Sequence, residues 1–181
     1  SRLGADPRAV AESAGAMRPG AAARLALAVV PLLASAEVVR LSDATFETET
    51  QVSTGATTGS WLVTFGEAGC EKCAVMREEM AAAEEELRGA YVIPAHMDAA
   101  DSSETWYRFG ISDLEAPATL FFSKGRMWRY QGPQDSVDLV VFCEAAMSDT
   151  RGSVEAPEEM NELDKFLFKV GARQAADALK F

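Results

Sequence analysis

The sequence predicts an α/β domain built on a mixed β-sheet with helices on its faces. Strand and helix signals alternate in the order β-α-β-α-β-α-β-β-α, which is typical of crossover units. The last two strands are joined by a short Gly-containing turn and must run antiparallel, so the sheet is mixed. The 181 residues, 48% of them apolar, suffice to bury the core of one ordinary domain.

The domain is predicted to begin with a short strand at 37–41, Glu-Val-Val-Arg-Leu. A helix should start after it, with Ser42 or Asp43 as N-cap, because these side chains accept hydrogen bonds from unpaired helical N–H groups. A Gly/Thr-rich loop follows at 54–60. The compact apolar run at 61–65, Trp-Leu-Val-Thr-Phe, predicts a central strand.

A long helix is predicted over 73–88, where Ala, Glu, Met, Leu and Arg dominate and neither Gly nor Pro occurs. Its inward face is predicted from apolar residues at helical spacing: Val75, Met76, Met80, Ala83 and Leu87. Gly89 should end this helix, and the run 90–97 predicts the next strand.

The rest of the domain is predicted as a short helix, a hairpin and a final helix. The short helix covers 102–109, the hairpin joins 118–122 to 127–130 through a turn at 123–126, and the final helix covers 136–147. The residues of the final helix predicted to face inward are Val137, Val140, Val141 and Ala145.

Both ends of the chain differ in composition from the domain at 37–147. Residues 1–36 are predicted as a leader and signal peptide, because basic residues precede a short apolar run and Ala34-Ser35-Ala36. A buried or amphipathic helix is the alternative. At the other end, 148–157 is predicted as a polar linker and 158–181 as an acidic amphipathic helix that packs on the domain or on a partner. Its apolar stripe is Leu163, Phe166, Leu167, Val170 and Leu179.

Charge, apolar run length and the signal peptide limit the expected partners and the expected compartment of the protein. The net charge of −11 and the pI near 4.6 leave no basic face for phosphates, so nucleic acid is not an expected partner. No apolar run is long enough to span a bilayer. A signal peptide implies the endoplasmic reticulum lumen or another secretory compartment, which permits disulfides.

The chemistry is concentrated at Cys70-Glu71-Lys72-Cys73, which follows a strand and opens a helix. A thiolate at a helix N-terminus is stabilised by unpaired N–H groups and the helix dipole, so Cys70 is predicted as the exposed thiolate and Cys73 as the buried resolving thiol. Half of a zinc site is one alternative, with Cys143 and His96 as the remaining candidate ligands. An inert structural disulfide or a pair of unreactive thiols is another.

Several segments resemble the protein disulfide isomerase branch of the thioredoxin fold. The strand 61–65 precedes the Cys pair, and 96–99 (His-Met-Asp-Ala) stands where the family has Lys-Val-Asp-Ala. The segment 115–122 (Glu-Ala-Pro-Ala-Thr-Leu-Phe-Phe) is similar to the family's cis-proline segment. With the turn 124–126, the stretch 129–133 (Arg-Tyr-Gln-Gly-Pro) looks most like the thioredoxin-related transmembrane proteins of the endoplasmic reticulum.

This resemblance covers about Glu37 to Met147 and implies a thioredoxin fold. It implies thiol–disulfide exchange with protein substrates through Cys70 and Cys73, which pair as a redox-active disulfide and need no cofactor or metal. It also implies a cis Ala116–Pro117 bond facing the Cys pair, with main-chain groups there available to a substrate peptide. A membrane anchor beyond the present C-terminus is possible, since the transmembrane relatives carry one.

The chain departs from the family pattern in several places. Gly69 replaces the Trp before the first Cys, and two extra residues lie between Gly110 and Pro117. Thr64 replaces the family's buried acid, and His96 replaces its Lys partner. We hypothesise that His96 accepts the proton of Cys73, through water or the Thr64 hydroxyl. The alternative is a His that only packs on the sheet.

Two function classes follow from these residues. The first is a disulfide isomerase-like oxidoreductase acting on secretory-pathway proteins, which the retained Cys pair favours. The second is a non-catalytic thioredoxin-like module or subunit of a membrane or lumenal complex, which Thr64 and Gly69 favour. Cys143, on an apolar helix, is predicted as a buried unpaired thiol, with a regulatory or intermolecular disulfide as the alternative.

Overall fold

A six-stranded mixed sheet organises the computed structural model, which describes residues 37–55 and 58–171. The strands are β1 (Val39–Leu41), β2 (Ser60–Gly66), β3 (Val92–Asp98), β4 (Ala118–Ser123), β5 (Arg126–Tyr130) and β6 (Val154–Glu155). The helices are α1 (Phe46–Thr50), α2 (Glu71–Ala82), α3 (Glu84–Gly89), α4 (Ser103–Arg108), α5 (Ser136–Ser148) and α6 (Glu162–Lys169). The predicted leader and signal peptide lie outside the described residues, as does Leu179.

The spatial order of the strands is β1-β3-β2-β4-β5-β6. β1, β3 and β2 run parallel, whereas β4 pairs antiparallel with β2, and β5 and β6 continue the antiparallel half. β2 is therefore central, with a parallel neighbour on one side and an antiparallel neighbour on the other. The predicted mixed sheet is confirmed.

Apolar side chains cover both faces of the sheet, because successive residues of a strand point to opposite sides. On one face Val63 and Phe65 of β2 pack with residues of α1 and α4, among them Phe46 and Trp106. On the other face Leu62 packs beneath α2, α3 and α5. The helices α1 and α4 on one face and α2, α3 and α5 on the other cover apolar strand residues, so the two layers together form the core.

The predicted helix over 73–88 is two helices that meet at Ala83. Ala83 has φ −80° and ψ −8°, outside the regular helical range, and no Gly or Pro marks this break in the sequence. Val75 was predicted to face inward, but this prediction is wrong, since the side chain is 41% exposed. The other four predicted inward residues are buried: Met76, Met80, Ala83 and Leu87.

The inward face of α5 differs from the predicted one. Val137 and Val141 are more than half exposed and Ala145 is also exposed, so the prediction is wrong for these residues. Val140 is half-buried. The helix is apolar nearly all round, so its periodicity singles out no face. Its orientation is instead set by packing against the sheet, which buries Leu139, Cys143 and Ala146.

Asp43 caps a different helix from the one predicted. Its carboxylate accepts hydrogen bonds from the backbone N–H of Glu104 at 3.0 Å and of Thr105 at 2.8 Å, and from the Thr105 hydroxyl at 2.6 Å. It therefore accepts hydrogen bonds from otherwise unpaired N–H groups in the first turn of α4, about sixty residues further along the chain. Thr45 occupies the N-cap position of α1 instead.

The C-terminal part of the described chain packs on the domain. The segment 148–157, predicted as a polar linker, contains β6, which pairs with β5 at the edge of the sheet. α6 begins after its N-cap Asn161, and Phe168 stacks on Tyr107 of α4 with ring centroids 4.9 Å apart. Leu163, Phe166 and Val170 of the predicted stripe are more than half exposed. Within the described ranges, no helix has the length and apolar character to cross a membrane.

Arg108 of α4 contacts both α1 and the segment that follows β6. Its guanidinium lies 2.7 Å from the Glu47 carboxylate, donates to the Pro157 carbonyl oxygen at 2.6 and 3.1 Å, and lies over the Phe109 ring at 4.9 Å. Its side chain is 6% exposed. We expect Arg108→Met to lower the free energy of unfolding by about 3 kcal/mol, because Glu47 then keeps its charge without its ionic partner. Denaturant unfolding measures this loss.

The same pair should make stability depend on pH. Burial alone would raise the pKa of Glu47, but hydrogen bonds from Ser53 and Arg108 outweigh it, so that pKa lies below its usual value. A lowered folded pKa means that the contribution is complete above the unfolded pKa of about 4.3 and is lost as the pH falls through the folded value. Acid unfolding of Arg108→Met should therefore begin at a higher pH. Arg151→Met, at a 92% exposed side chain, is the control and should leave both measurements unchanged.

Candidate functional site

Cys70 and Cys73 stand at the N-terminus of α2 and are joined by a disulfide, with their Cα atoms 5.2 Å apart. Cys70 is the N-cap residue of this twelve-residue helix, and its Sγ accepts a hydrogen bond from the Cys73 backbone N–H at 3.1 Å. On reduction, that N–H group and the positive end of the helix dipole favour the Cys70 thiolate over the thiol.

The two sulfurs differ in accessibility in the predicted sense. Cys70 is half-buried, whereas Cys73 is 1% exposed. Gly66, the last residue of β2, lets Cys73 lie this deep, because a Cβ on Gly66 would be 3.1 Å from the Cys73 Cβ and 3.4 Å from its Sγ. Cys70 is therefore partly accessible from solvent, whereas Cys73 is almost completely enclosed.

The Ala116–Pro117 peptide bond is cis, which is the isomer that the resemblance implies. Both residues are half-buried. The register pairs Phe65 with Ala118, the residue after Pro117, so the proline segment leads into β4 at the end of the sheet where β2 finishes at Gly66. Cys73 lies against Gly66, so the proline segment and the buried cysteine are at the same end of the sheet.

Thr64 and His96 are neighbours, as their family counterparts would be, since β2 and β3 pair them in register. Thr64 is 2% exposed, and its hydroxyl oxygen lies 3.0 Å from the hydroxyl oxygen of Thr119 on β4. Thr119 was not among the residues predicted for the site. The signal available was its position two residues after Pro117, on a strand that had to pair with β2.

A cavity of about 280 Å³ brings Thr64 and His96 together beneath α2. Its lining is Glu37, Val38, Thr64, Arg77, Met80, Ala81 and His96. Arg77 lies one helical turn after Cys73, so the cavity adjoins the helix face that carries the buried thiol. Sequence reasoning missed Arg77, whose only signal is the four-residue spacing from Cys73.

The cavity environment keeps His96 neutral near pH 7. Burial, followed by the guanidinium groups of Arg40 and Arg77, lowers the pKa of His96 below its usual value, with Asp98 acting in the opposite direction. A neutral imidazole has a nitrogen that can accept a proton. The arrangement therefore contains a buried thiol, a hydroxyl pair and a neutral base on one side of β2.

Cys143 is buried and unpaired, as predicted. Burial in the apolar layer beneath α5 raises the pKa of its thiol well above the usual value, which leaves it unreactive. Across the described ranges, no three His, Cys, Asp or Glu side chains are grouped to hold a metal ion. Cys143 and His96 therefore do not complete a zinc site with the Cys pair.

We expect iodoacetamide to label Cys70 first in the reduced protein. Cys70 is accessible and is stabilised as a thiolate, so its alkylation should be about tenfold or more faster than that of Cys73. Limiting reagent followed by peptide mapping measures the ratio, and the buried Cys143 is an internal control that should stay unlabelled. Preferential labelling of Cys73 would contradict the assignment of the two thiols.

Comparison with known sequences finds a protein that is similar to part of this chain. No protein-family model matches the chain. A thioredoxin domain-containing protein of Theileria parva is 34% identical over 120 residues, which make up 66% of this chain and 52% of that protein. The chain therefore spans about half the length of this relative.

Comparison with solved structures identifies the fold. The J-Trx1 fragment of ERdj5 superposes with a TM-score of 0.52 at 19% identity, covering 62% of this chain and 52% of the fragment. Human ERp44 in its zinc-bound form gives 0.53 at 20% identity, covering 62% of this chain and 31% of ERp44. Chloroplastic thioredoxin z gives 0.53 at 16% identity, with 62% and 96% covered. The predicted thioredoxin fold is confirmed.

Proposed function

We propose that this thioredoxin-fold chain is a thiol–disulfide oxidoreductase that acts on protein substrates. One observation carries the proposal: a half-buried Cys70 at the start of a long helix is bonded to a fully buried Cys73. This asymmetry suits a nucleophile followed by a resolving thiol. A purely structural disulfide gains nothing from a helix N-terminus that stabilises its reduced form.

In the proposed exchange, Cys70 first forms a mixed disulfide with the substrate and Cys73 then resolves it. The Cys70 thiolate attacks one sulfur of a substrate disulfide; a mixed disulfide forms, the substrate S–S bond breaks and one substrate thiolate leaves. Cys73 then loses its proton and attacks the Cys70 Sγ, which releases the second substrate thiolate. Two electrons have passed to the substrate, and the Cys70–Cys73 disulfide remains. The reverse sequence oxidises substrate thiols, and both directions together would give isomerase activity.

His96 is the proposed proton acceptor for Cys73. A buried thiol has a raised pKa, so resolution of the mixed disulfide needs a nearby base or a water path. The cavity shared by Thr64 and His96 supports such a path, and the Thr64–Thr119 hydroxyl pair supplies groups that can both donate and accept. In this scheme the His does the work of the carboxylate that the resembling family keeps on β2.

The proposed setting is the endoplasmic reticulum lumen or another secretory compartment. The signal-peptide pattern at 1–36 supports it, and so does the arrangement of Arg129-Tyr130-Gln131-Gly132-Pro133, which favours the thioredoxin-related transmembrane branch. Here Tyr130 donates a hydrogen bond to the Pro133 carbonyl oxygen at 2.6 Å, closing the turn over Gly132. A membrane anchor following this domain belongs to the same proposal.

A non-catalytic binding module is the second candidate. The observation that favours it is Thr64, which stands on β2 where the resembling family has a buried carboxylate and cannot accept a proton at neutral pH. The test that separates the two candidates is reduction of insulin disulfides with dithiothreitol as electron donor, wild type beside Cys70→Ser. Turnover above the uncatalysed rate that disappears in the variant supports the oxidoreductase, whereas equal rates support the module.

A further inference from the structure

The loop before the cis-proline carries an apolar side chain that the described part of the fold does not use. Leu114 is 97% exposed, the highest value among the large apolar side chains described. It lies in a single 3₁₀ turn, Asp113–Glu115, within the stretch that has two more residues than the resembling family. One exposed leucine is ordinary on a protein surface, so exposure alone does not mark Leu114 as a binding residue. Its place next to the cis-proline does distinguish it from other exposed apolar residues.

The turn that presents Leu114 is held at both ends. Ser112 and Glu115 exchange hydrogen bonds: the Ser112 N–H donates to the Glu115 carboxylate at 3.0 Å, and the Glu115 N–H donates to the Ser112 carbonyl at 2.9 Å. Arg129 of β5 lies 3.6 Å from the same carboxylate and donates to the Phe109 carbonyl oxygen at 3.3 Å. A leucine on an anchored turn loses less conformational freedom on binding than one on a mobile loop.

The position of the turn places Leu114 close to the proline segment. It is three residues before Pro117, so its Cα lies within about 10 Å of that residue, and Pro117 leads into β4 at the end of the sheet where Cys73 lies against Gly66. Across the site, Gly69 precedes Cys70 with φ +81°, and a Cβ there would meet nothing within 4 Å. The surface beside Cys70 is therefore open on the Gly69 side, and the turn that carries the exposed Leu114 leads directly into the proline segment.

We infer that Leu114 is a specificity-determining residue that binds an apolar side chain next to the reacting cysteine of a substrate polypeptide. This inference rests on the proposed oxidoreductase function. An extended substrate that pairs with main-chain groups at Ala116 and Pro117 would run past the 3₁₀ turn, and its side chains would reach Leu114. Contact with Leu114 replaces the contact that an aromatic residue at position 69 would make.

Two peptide disulfides that differ only at the residue beside cysteine, Phe or Gly, test the inference. In Leu114→Ser, kcat/KM for the Phe peptide should fall about tenfold, while the Gly peptide and hydroxyethyl disulfide should keep wild-type rates. Leu114→Met should restore the preference. Leu163→Ser, at a 65% exposed leucine of α6, is the matched control and should change nothing. Equal losses with all three disulfides, or no loss with the Phe peptide, would overturn the inference.

A binding measurement separates this inference from the proposed function. The Phe peptide with serine in place of cysteine cannot react, and its affinity for the oxidised wild-type protein should exceed that for Leu114→Ser about tenfold. If hydroxyethyl disulfide is not reduced but this difference in affinity persists, the oxidoreductase proposal fails while Leu114 remains a peptide-binding residue. If hydroxyethyl disulfide is reduced but the two affinities are equal, the oxidoreductase proposal stands and the inference about Leu114 fails.

Discussion

Reduction of insulin by the Cys70→Ser variant is expected to fall by on the order of 10³-fold or more, to the uncatalysed rate, because a serine hydroxyl is not ionised at neutral pH. Cys73→Ser should fail differently. Its Cys70 can still attack, but the protein has no resolving thiol next to the Cys70 Sγ, so a mixed disulfide should accumulate when the pre-reduced variant is mixed with insulin in the absence of dithiothreitol. Non-reducing electrophoresis of the trapped species, followed by mass spectrometry, measures this difference.

Cys143→Ala is the control for removing a thiol. Cys143 is buried on the sheet-facing side of α5 and has no role in the proposed exchange, so this variant should keep the wild-type rate and form no stable adduct. A Cys73→Ser variant that turns over as fast as wild type would exclude Cys73 as the resolving thiol. Wild-type protein without any turnover would leave the non-catalytic module as the better reading of the fold.

Resolution of the mixed disulfide should be about 10²-fold slower in His96→Ala near neutral pH, the lower end of the range for general-base catalysis. In the wild type the rate should fall as the pH drops through the pKa of His96, which lies below its usual value because of burial and the nearby guanidinium groups. Below that pKa the imidazole is already protonated and cannot accept a proton. Stopped-flow measurement of leaving-thiol release between pH 5 and 8 follows both effects.

Two further variants give readouts that a structural histidine would not produce. Arg77→Met removes a charge that lowers the pKa of His96, so the inflection of the pH profile should move to higher pH. Thr64→Glu introduces a carboxylate beside the buried thiol and should speed resolution near neutral pH, with circular dichroism to verify the fold. Unchanged resolution in His96→Ala, with the fold intact, would leave His96 a packing residue.

Local sequence signals predicted the parts of the molecule that local chemistry determines. The Cys pair opens α2 because a strand, a short break and a helix-forming run follow one another, and the Lys124-Gly125 turn closes the β4–β5 hairpin for the same kind of reason. Together with the resemblance, these signals were enough for the fold and for the position of the Cys pair at the start of α2.

The missed features depend on partners that are distant in sequence. Asp43 caps α4 rather than α1 because folding brings Thr105 next to it. Packing against the strands determines which face of α5 is buried. Thr119 lies next to Thr64 because of the register of β4 against β2. None of these pairings leaves a periodicity or a spacing along the chain.

The short strand β6 has a consequence for association between chains. The outer strands of a sheet expose unpaired backbone groups that can recruit another polypeptide, and long, flat edges invite aggregation. Here β1 has three residues and β6 has two, and β6 covers the β5 residues Arg126 and Met127. Under the proposed oxidoreductase function, substrate polypeptides at the Cys pair would thus meet, in the described part of the chain, sheet edges too short to extend into a cross-β stack.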